Sequence, residues 1–463
     1  MSAVLLIDFG STYTKLRAID LERRLILGTG QGPSTVATDI TIGMKVALAN
    51  LEGRLGALPA FKYRLASSSA AGGLRMVTIG LVRELTAEAA RQAALGAGAR
   101  IIGTFAYRLT RSDMAQIAAL EPDIILLAGG TDGGNSETIL HNARTLAASD
   151  VACPIVYAGN RAAADEAVTL LAAKTLIVTE NVMPEFNELN IEPARAAIRQ
   201  VFIERIVHAK GIDRAQAMFD RVLMPTPSAV MEAARLIADG CAHASGLGDL
   251  MVVDPGGATT DVHSVASGEP AAPDVIRRGL PEPRVKRSVE GDLGMRHNAA
   301  TVAEVAGLDA IACDSGLSTS QVATLIDRYV GDVEHLPDSD DERKLDRALA
   351  RAAVRIAVRR HCGSTETVYT MNGPAVLQQG KDLSMLKTVI GTGGPLVHGQ
   401  DPCAVLCMAI ADAAEPQSLR PRAPRLLIDQ NYVLYACGLL GAVEPEAALE
   451  LMLKNLVPSD VHQ

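Results

Sequence analysis

Two stretches of this chain share one pattern: a short apolar run, then an aspartate, then glycine and hydroxyl side chains. Residues 250–253 lead into the first, residues 254–261, which we call the central loop. Residues 4–7 lead into the second, residues 8–15, which we call the amino-terminal loop. Glycine lets backbone N–H groups approach phosphate oxygens, hydroxyls donate to them, and carboxylates bind magnesium or its waters. The repetition predicts two phosphate-binding loops, each at the end of a buried strand.

The residues around the two loops predict β-hairpins within a layered α/β protein. Alternating residues follow the amino-terminal loop at 14–20 and the central loop at 262–265, as in the return strand of a hairpin. Between residues 74 and 130, strand-like and helix-like segments alternate, which predicts a sheet with crossover connections. Residues 268–284 are rich in proline and glycine, and we predict a surface loop there.

Two further segments each have two interpretations. Residues 129–135 are rich in glycine and follow an apolar run, so they are either a ligand loop at the carboxyl edge of a sheet or a turn with conformational glycines. Residues 181–223 have a mostly helical pattern. Their charged side chains indicate either a solvated face or an insertion that meets a partner.

Composition limits the class of protein and its partners. A chain of 463 residues exceeds one ordinary core, so we expect two or more domains. Its net charge of -9 argues against nucleic-acid binding. The apolar runs are shorter than the roughly 20 residues of a membrane span, and the amino terminus has no basic leader. The seven scattered cysteines suit reduced cytoplasmic thiols, and core packing best explains Cys403 and Cys407.

Five segments in order resemble the ATPase superfamily of actin, sugar kinases and heat-shock chaperones. The amino-terminal loop resembles its phosphate-one loop and the central loop its phosphate-two loop. Residues 228–239 resemble the first connecting helix, residues 390–395 the adenosine loop, and residues 429–441 the second connecting helix. The adenosine loop keeps that name below.

The resemblance implies an α/β fold with two lobes, each built on a ribonuclease-H-like sheet flanked by helices, with ATP and magnesium in the cleft. The first lobe is expected at 1–240, with a helical insertion near 181–223, and the second at 241–425. Residues 426–463 are expected to return to the first lobe. Closure of the lobes on ATP would change a large surface.

The same resemblance implies roles for individual residues. Asp8 and Asp254 are expected on the magnesium side of the site. The residues expected at the nucleotide are Gly10, Ser11, Thr12, Thr14, Lys15, Gly256, Gly257, Ala258, Thr259, Thr260, Gly391, Thr392, Gly393 and Gly394. Where many of these ATPases place an acid that orients the attacking water, this chain has Thr226 or Pro227. Asp261, Glu290 and Asp292 are therefore the further catalytic candidates.

Over nearly its whole length the chain most resembles the accessory proteins of glutamate mutase. This family is called MutL and is unrelated to the mismatch-repair protein of that name. Residues 7–15, 126–135, 181–187 and 288–295 carry the resemblance. It implies an ATP-driven reactivating chaperone for an adenosylcobalamin-dependent mutase or aminomutase, and a homodimer is one expectation for its assembly. The cobalamin would belong to the partner, since this chain lacks the Asp-x-His-x-x-Gly pattern of a cobalamin-ligating domain.

Three other functions remain open for such a fold. A small-molecule kinase would use an acid such as Glu290 or Asp292 to activate a substrate hydroxyl. An ATP-driven electron-transfer activator would carry an iron–sulfur cluster, for which Cys403 and Cys407 are the only basis. An actin-like scaffold or nucleotide sensor would bind ATP without hydrolysing it.

Overall fold

The computed structural model describes residues 2–10, 13–35, 39–68, 74–209, 218–371 and 373–459. The chain forms two compact units. Unit 1 consists of Met1–Ala229 with Gly279–Pro283, and unit 2 consists of Val230–Arg278 with Arg284–Gln463. The lobe boundaries expected from the sequence stay predictions. Within the described part of the chain, no helix has the length and apolar character needed to cross a membrane.

The described residues of unit 1 form ten strands and the helices between them. Its strands are β1 (Ala3–Phe9), β2 (Tyr13–Asp20), β3 (Leu25–Pro33), β4 (Phe61–Ser68), β5 (Leu74–Gly80), β6 (Ala99–Ala106), β7 (Ile124–Leu127), β8 (Ile155–Tyr157), β9 (Leu176–Val178) and β10 (Arg221–Pro225). Its helices are α1 (Ile40–Leu55), α2 (Glu88–Gly96), α3 (Arg111–Leu120), α4 (Glu137–Ala147), α5 (Ala164–Leu170) and α6 (Glu192–Ala209). Helix α7 (Thr226–Asp239) begins in unit 1 directly after β10.

The first sheet of unit 1 has the strand order β10-β4-β1-β2-β3. Strands β1, β2 and β3 form two consecutive antiparallel hairpins, whereas β4 and β10 run parallel to β1. Every residue of β1 is buried, because the strand lies inside the sheet with a core on its faces. The carboxyl end of β1 therefore delivers the amino-terminal loop to the edge where β4 and β10 also end.

Strand β3 was not predicted, because its three glycines resemble a turn in the sequence. The structure explains them by the close approach of α1. A Cβ atom at Gly30 would lie 2.1 Å from the Ala47 carbonyl oxygen, and one at Gly32 would lie 2.3 Å from the Gly43 carbonyl oxygen. Both distances are too short for a side chain, so packing of the helix on the strand requires glycine.

The second sheet of unit 1 is entirely parallel, with the order β6-β5-β7-β8-β9. It confirms the crossover sheet predicted between residues 74 and 130 and extends it to residue 178. Its strands are almost continuously apolar, as expected when helices cover both faces. The chain then forms α6, which confirms the helix predicted within residues 181–223. After α6 the chain returns to the first sheet as β10. That segment is therefore not wholly helical.

Unit 2 repeats the strand order of the first sheet. Its strands are β11 (Gly240–Cys241), β12 (Ala244–Ser245), β13 (Leu250–Pro255), β14 (Thr260–Val265), β15 (Val275–Arg278), β16 (Val285–Glu290), β17 (Ser364–Thr370), β18 (Gly373–Gln379), β19 (Thr388–Gly391), β20 (Arg425–Asp429) and β21 (Leu456–Pro458). The main sheet has the order β16-β14-β13-β19-β20-β21, with two antiparallel hairpins followed by two strands parallel to β13.

The helices of unit 2 pack on this sheet or connect its strands. They are α8 (Ala299–Ala306), α9 (Leu308–Ser315), α10 (Thr319–Gly331), α11 (Asp340–His361), α12 (Gly394–Val397), α13 (Pro402–Leu406), α14 (Leu434–Gly441) and α15 (Pro445–Asn455). Strands β15, β18 and β17 form a separate small sheet. Because β15 pairs with β18, the prediction of a loop throughout residues 268–284 was wrong at residues 275–278.

The fold class predicted from the sequence is confirmed. Each unit contains a mixed sheet in which the second strand lies between the first and third and is antiparallel to both, while the fourth and fifth continue on the other side of the first. This is the ribonuclease-H-like order, and it occurs once in each unit. Because the central strand of each sheet ends in one of the two predicted phosphate loops, both loops have the same position in their sheets.

Glu342 gives a testable source of stability in unit 2. Its carboxylate is fully buried and accepts hydrogen bonds from the Arg328 and His335 side chains and the backbone amide of Asp338. Burial alone would raise the pKa of this carboxyl, but the backbone and side-chain hydrogen bonds lower the pKa to about 2. We expect Glu342→Gln to reduce the free energy of unfolding near neutral pH by about 1–3 kcal/mol.

The pH dependence of the Glu342→Gln effect follows from the lowered pKa. The contribution of the carboxylate is present above its ordinary pKa of 4.5 and is lost as the pH falls through about 2. Denaturant unfolding at about pH 7 and about pH 2.5 should therefore show a smaller difference between wild type and variant in acid. Exposed Glu334 provides the control variant Glu334→Gln. An equal difference at both pH values would contradict this explanation.

Candidate functional site

Asp8 lies at the end of the central strand of the first sheet. Five apolar residues, Ala3 to Ile7, precede it in β1, and its antiparallel partner in β2 is Lys15. Its side chain is only 3% exposed. The strand register places Ser67 of β4 directly beside it on the other side. The Asp8 carboxylate is thus held at the point where strand β1 leads into the amino-terminal loop.

Two hydroxyl groups donate to the same oxygen of Asp8. Thr226 Oγ1 lies 2.6 Å from Asp8 Oδ1, and Ser67 Oγ lies 3.1 Å from it. Burial raises the pKa of the Asp8 carboxyl, and the charge of Lys15 together with the two hydroxyl donors partly offsets this rise. Among the described residues, Asp8 Oδ2 accepts no hydrogen bond.

The amino-terminal loop turns tightly at Gly10. The Gly10 backbone amide donates to the Tyr13 carbonyl oxygen at 3.0 Å, and a Cβ atom at Gly10 would lie only 2.6 Å from that oxygen. Predicted ligands Ser11 and Thr12 lie outside the described residues. Of the other two, Lys15 is partly exposed, whereas Thr14 is fully buried and its hydroxyl has no hydrogen-bond partner within the described part of the chain.

The central loop is supported by the chain that follows β16. Backbone amides of Met295 and Arg296 donate to the carbonyl oxygens of Gly256 and Gly257, at 3.0 and 2.9 Å. The Asn298 side chain donates to the Ala258 carbonyl oxygen at 3.0 Å. These contacts bind the carbonyl groups of the loop to protein. The Gly256 amide donates to the Thr259 carbonyl oxygen at 2.8 Å, so it is the exposed backbone at Gly257 and Ala258 that the loop can present to a ligand.

The predicted phosphate ligands of the central loop differ in their exposure to solvent. Gly257 and Ala258 are exposed, and Gly256 and Thr259 are partly exposed. Thr260 differs, because its hydroxyl is buried and donates to the Leu293 carbonyl oxygen at 2.7 Å. The Thr260 side chain therefore supports the loop, and in this structure its hydrogen is not available to a phosphate.

The adenosine loop lies against the central loop within unit 2. The Thr392 backbone amide donates to the Val253 carbonyl oxygen at 2.9 Å. At Gly393 the backbone has φ +90, and a Cβ atom would lie 2.5 Å from Asp254 Oδ1 and 2.6 Å from the Pro255 carbonyl oxygen. Gly394, by contrast, is exposed and has open space around it. The structure thus brings the predicted magnesium ligand Asp254 next to Gly393.

Two residues predicted for the adenosine loop are engaged in the protein interior. Gly391 is buried, with the side chains of Leu396 and Ile428 close to the position of a Cβ atom. Thr392 is 1% exposed, and its hydroxyl donates to Asp429 Oδ2 at 2.9 Å. Fully buried Asp429 also accepts from the backbone amides of Val433 and Leu434 at the start of α14. Of the four predicted positions, Gly394 is the exposed one.

The three further catalytic candidates include two that share one arginine. Arg360 Nη1 donates to Glu290 at 2.7 Å and to Asp292 at 2.9 Å. The hydrogen bond from Arg360 lowers the pKa of the Asp292 carboxyl below its ordinary value. A carboxylate held ionised by a guanidinium is a weak proton acceptor. Their geometry therefore favours an electrostatic role over general base catalysis.

Asp261 is the third candidate and lies opposite Asp254 in the hairpin formed by β13 and β14. It is 8% exposed, and Arg287 Nη2 donates to its Oδ2 at 3.1 Å. Its Oδ1 is buried and has no hydrogen-bond partner among the residues that the structure describes. A buried acceptor without a partner is unfavourable, so this oxygen fits a site for water or a hydrated ion beside Asp254.

The carboxylates suit magnesium, which prefers hard oxygen ligands and retains several waters. Asp8 fits best, because its Oδ1 is held by two hydroxyls while Oδ2 accepts no hydrogen bond from a described residue. The small residue Gly10 follows two positions later, where a Cβ atom would lie 3.6 Å from Asp8 Oδ2. The donor set of each unit therefore includes a carboxylate oxygen suited to the ion or its water shell.

The glycine-rich loop at residues 129–135 is held by two buried asparagines. Asn160 accepts from the Gly133 amide and donates to the Gly134 carbonyl oxygen. Asn181 donates to the Gly130 carbonyl oxygen and to Asp132. These bonds fix the conformation of the loop whether or not a ligand binds there.

Cys403 and Cys407 lie on α13 and the turn after it, with their sulfur atoms 3.8 Å apart. Burial and the contact with Cys403 raise the pKa of the Cys407 thiol to about 11. Iron–sulfur clusters use thiolate ligands, which a raised pKa disfavours. This geometry favours a packed thiol pair.

Ser67 was not predicted from the sequence. Thr226 was named only as one of two residues near the position where many of these ATPases have an acid. Strand β4 gave no clear signal, and the position of Ser67 depends on its parallel pairing with β1. The contact of Thr226 with Asp8 joins residues 218 positions apart in the chain. The alternation of apolar and charged residues from Phe61 to Leu65 is the signal that could have indicated a strand ending at Ser67 and Ser68.

Comparisons with known proteins give a consistent result along the whole chain. The family model described as MutL protein matches residues 4–456. The curated protein "Protein MutL" of Clostridium tetanomorphum is 48% identical over 463 residues, which cover 99% of this chain and 100% of that protein.

Solved structures are similar at low sequence identity. Nucleotide-free acetone carboxylase is 13% identical with a TM-score of 0.37, covering 95% of this chain and 70% of that chain. Component A of (R)-2-hydroxyglutaryl-CoA dehydratase from Acidaminococcus fermentans is 10% identical with a TM-score of 0.31, covering 98% and 99%. Glycerol dehydratase reactivase is 11% identical with a TM-score of 0.34, covering 95% and 99%. TM-scores this low carry no argument about this chain.

Proposed function

The chain belongs to the MutL protein family, and from this premise we propose that it is an ATP-hydrolysing accessory factor that reactivates an adenosylcobalamin-dependent mutase. The partner would be of the glutamate mutase or aminomutase type, and it would hold the cobalamin. One observation carries the ATPase part of the proposal. Two sheets of the same strand order each end their central strand in an aspartate followed by a glycine-containing turn.

We propose that the amino-terminal and central loops bind the phosphates of one ATP molecule. The exposed backbone at Gly257 and Ala258 and the partly exposed side chain of Thr259 support this role for the central loop. The tight turn at Gly10 and the partly exposed Lys15 support it for the amino-terminal loop. Ser11, Thr12 and Thr14 are included in the proposal from their place in the sequence pattern alone. Gly393 and Gly394 would border the adenosine, and bare backbone allows close approach of a flat base.

Asp8 and Asp254 would hold magnesium or its waters. The ion, when bound, would supply positive charge that neutralises the phosphate oxygens of ATP. Asp8 Oδ2 and the Asp254 carboxylate would orient its water shell, and Asp261 Oδ1 would accept a hydrogen bond from a water near Asp254. Phosphoryl transfer depends mainly on positioning and charge neutralisation, so a slow ATPase without a strong base is consistent with this set.

The arginine-paired acids support hydrolysis better than transfer to a hydroxyl acceptor. A kinase needs a carboxylate that removes a proton from its substrate, and Glu290 and Asp292 both bind Arg360. We therefore place the ATPase ahead of the kinase. In the proposed cycle, ATP-dependent lobe closure would release inactive cofactor from a partner mutase, and the chain would act in the cytoplasm.

Reactivation of a defined enzyme tests the proposal. Glutamate mutase or an aminomutase from the same organism is inactivated with hydroxocobalamin and then mixed with this protein, ATP, magnesium and fresh adenosylcobalamin. We expect mutase turnover to return with ATP and to stay absent with a non-hydrolysable analogue. Capture of the mutase from native lysate, with and without ATP, identifies the enzyme to use.

The same experiment separates the alternatives. ADP release that requires only water and increases with the inactive mutase supports a reactivating ATPase. ADP release that depends on one small acceptor would instead support a kinase. Tight ATP binding without hydrolysis, even with the mutase present, would support a nucleotide sensor and contradict the proposal.

A further inference from the structure

Three segments of unit 1 that are far apart in sequence end at the same point. Strand β4 pairs with β1 so that Ser67 lies beside Asp8, and β10 pairs with β4 so that Met224 lies beside Ser67. Thr226 is the first residue of α7, two positions after Met224. The strand order β10-β4-β1 therefore brings the two hydroxyls to Asp8 from one side.

Both hydroxyls have the same oxygen of Asp8 as their nearest acceptor, and Ser67 Oγ also lies 3.5 Å from the Ile7 carbonyl oxygen. Thr226 Oγ1 is 2.6 Å and Ser67 Oγ is 3.1 Å from Asp8 Oδ1. Ser67 is fully buried and Thr226 is partly exposed. Short hydrogen bonds from hydroxyls to carboxylates are among the stronger ones in proteins, since the acceptor is charged. Two of them on one oxygen leave the other oxygen of Asp8 without a bond from any described residue.

An ordinary role for a hydroxyl at the start of a helix such as α7 is to support the first turn. A threonine cap accepts a hydrogen bond from a backbone amide of the first turn. In the described part of the chain, no backbone amide donates to Thr226 Oγ1, and its hydroxyl instead donates to Asp8. The side chain therefore acts on Asp8, and the start of α7 serves to place it.

Fixing one carboxylate oxygen also fixes the direction of the other. The terminal torsion of an aspartate is broad and roughly two-fold when nothing restrains it. With Oδ1 held by two donors, Oδ2 has one direction, and Gly10 leaves that side free of a side chain. A metal site gains affinity when its ligands are held in place by neighbouring hydrogen bonds.

We infer that Thr226 and Ser67 are positioning residues that hold Asp8 so that its Oδ2 is presented to the metal ion of a bound metal–nucleotide complex. This inference rests on the proposed function, since it assumes that Asp8 binds the metal side of the nucleotide. It adds two residues that contact neither nucleotide nor metal and that act through the carboxylate. It also gives a reason for a hydroxyl, rather than an acid, at the first position of α7.

The test compares Thr226→Val, which removes the donor at nearly constant shape, with Thr226→Ser, which keeps it. Binding of Mn²⁺–ADP is measured by electron paramagnetic resonance of the manganese, and binding of metal-free ADP by calorimetry. We expect Thr226→Val to weaken Mn²⁺–ADP binding about tenfold and to leave metal-free ADP binding unchanged. Thr226→Ser should restore most of the affinity, and Ser67→Ala should repeat the loss to a smaller extent.

The outcomes distinguish this inference from the function on which it rests. Wild-type protein that binds no Mn²⁺–ADP would overturn both. Wild-type binding together with equal binding by Thr226→Val and Ser67→Ala would overturn the positioning role alone. Equal losses for Mn²⁺–ADP and metal-free ADP would also overturn it, because they would show general damage to the site. Thermal unfolding tests whether each variant is folded. If Thr226→Val does not fold, Ser67→Ala replaces it in the comparison.

Discussion

Asp8→Asn should lower magnesium-dependent ATP hydrolysis by about 10²–10³-fold, the loss seen when one electrostatic group is removed from a phosphate or oxyanion site. The asparagine keeps the shape of aspartate, and its carbonyl oxygen can still accept from Thr226 and Ser67. What it loses is the charge and the second acceptor oxygen, which the proposed site uses toward the ion. Hydrolysis is measured as phosphate release over a magnesium titration, with folding followed by thermal unfolding.

Asp20→Asn is the matched control for Asp8→Asn. Asp20 is equally buried, at 1% exposure, and belongs to the same hairpin of β1 and β2, but it lies at the opposite end, where it caps a turn. We expect it to change stability without a specific loss of hydrolysis. Unchanged hydrolysis in Asp8→Asn would remove Asp8 from the site, and an equal loss in Asp20→Asn would show that the hairpin is merely sensitive to substitution.

Gly393→Ala should abolish most nucleotide affinity, with a loss of at least about tenfold. Its Cβ atom would lie 2.5 Å from Asp254 Oδ1 and 2.6 Å from the Pro255 carbonyl oxygen, and its backbone has φ +90. The Asp254 side chain can rotate away, but the Pro255 backbone cannot move without shifting the central loop. The strained backbone should also cost about 1–3 kcal/mol of unfolding free energy. Calorimetry with ATP and denaturant unfolding measure the two effects.

The neighbouring glycine supplies the control for Gly393→Ala. At Gly394 a Cβ atom would meet nothing within 4 Å, so the same substitution fits without displacement. We expect Gly394→Ala to retain its stability and to lose far less affinity. Equal affinity of Gly393→Ala and wild type would contradict a nucleotide site beside Asp254. Equal losses in both variants would show that flexibility of the loop, and not its contact with Asp254, is what matters.

The β1–β2 and β13–β14 hairpins could be predicted, because buried strands have a strong apolar pattern in the sequence. Strands β1 and β13 are continuous apolar runs that end in aspartate, and the return strands alternate. Strand β3 could not be predicted, because its glycines are required by the close packing of α1 at Ala47 and Gly43, and this packing arises only in the fold. Strand β15 is mostly exposed and depends on pairing with β18, which lies about a hundred positions further along the chain.

The candidate site was predictable in its loops but not in its supporting residues. Asp8, Asp254 and the glycines stand in recognisable local patterns. The sequence does not show which hydroxyls point inward, so Thr260 and Thr392 seemed equivalent to Thr259, whereas they donate to Leu293 and Asp429. The pairing of Arg360 with Glu290 and Asp292 also arises only in the fold, since it joins β16 and the turn after it to α11.

The hydrogen bonds of Asp429 couple the adenosine loop to helix α14 in energetic terms. One buried carboxylate accepts from Thr392 in that loop and from Val433 and Leu434 at the start of the helix. A displacement of Thr392 must therefore carry the first turn of α14 with it or break a bond to a buried charge, at a cost of about 1–3 kcal/mol. Such coupling is reciprocal. If the loop binds adenosine as proposed, a change that reorients α14 will alter the affinity of the loop for the nucleotide by the same coupling free energy.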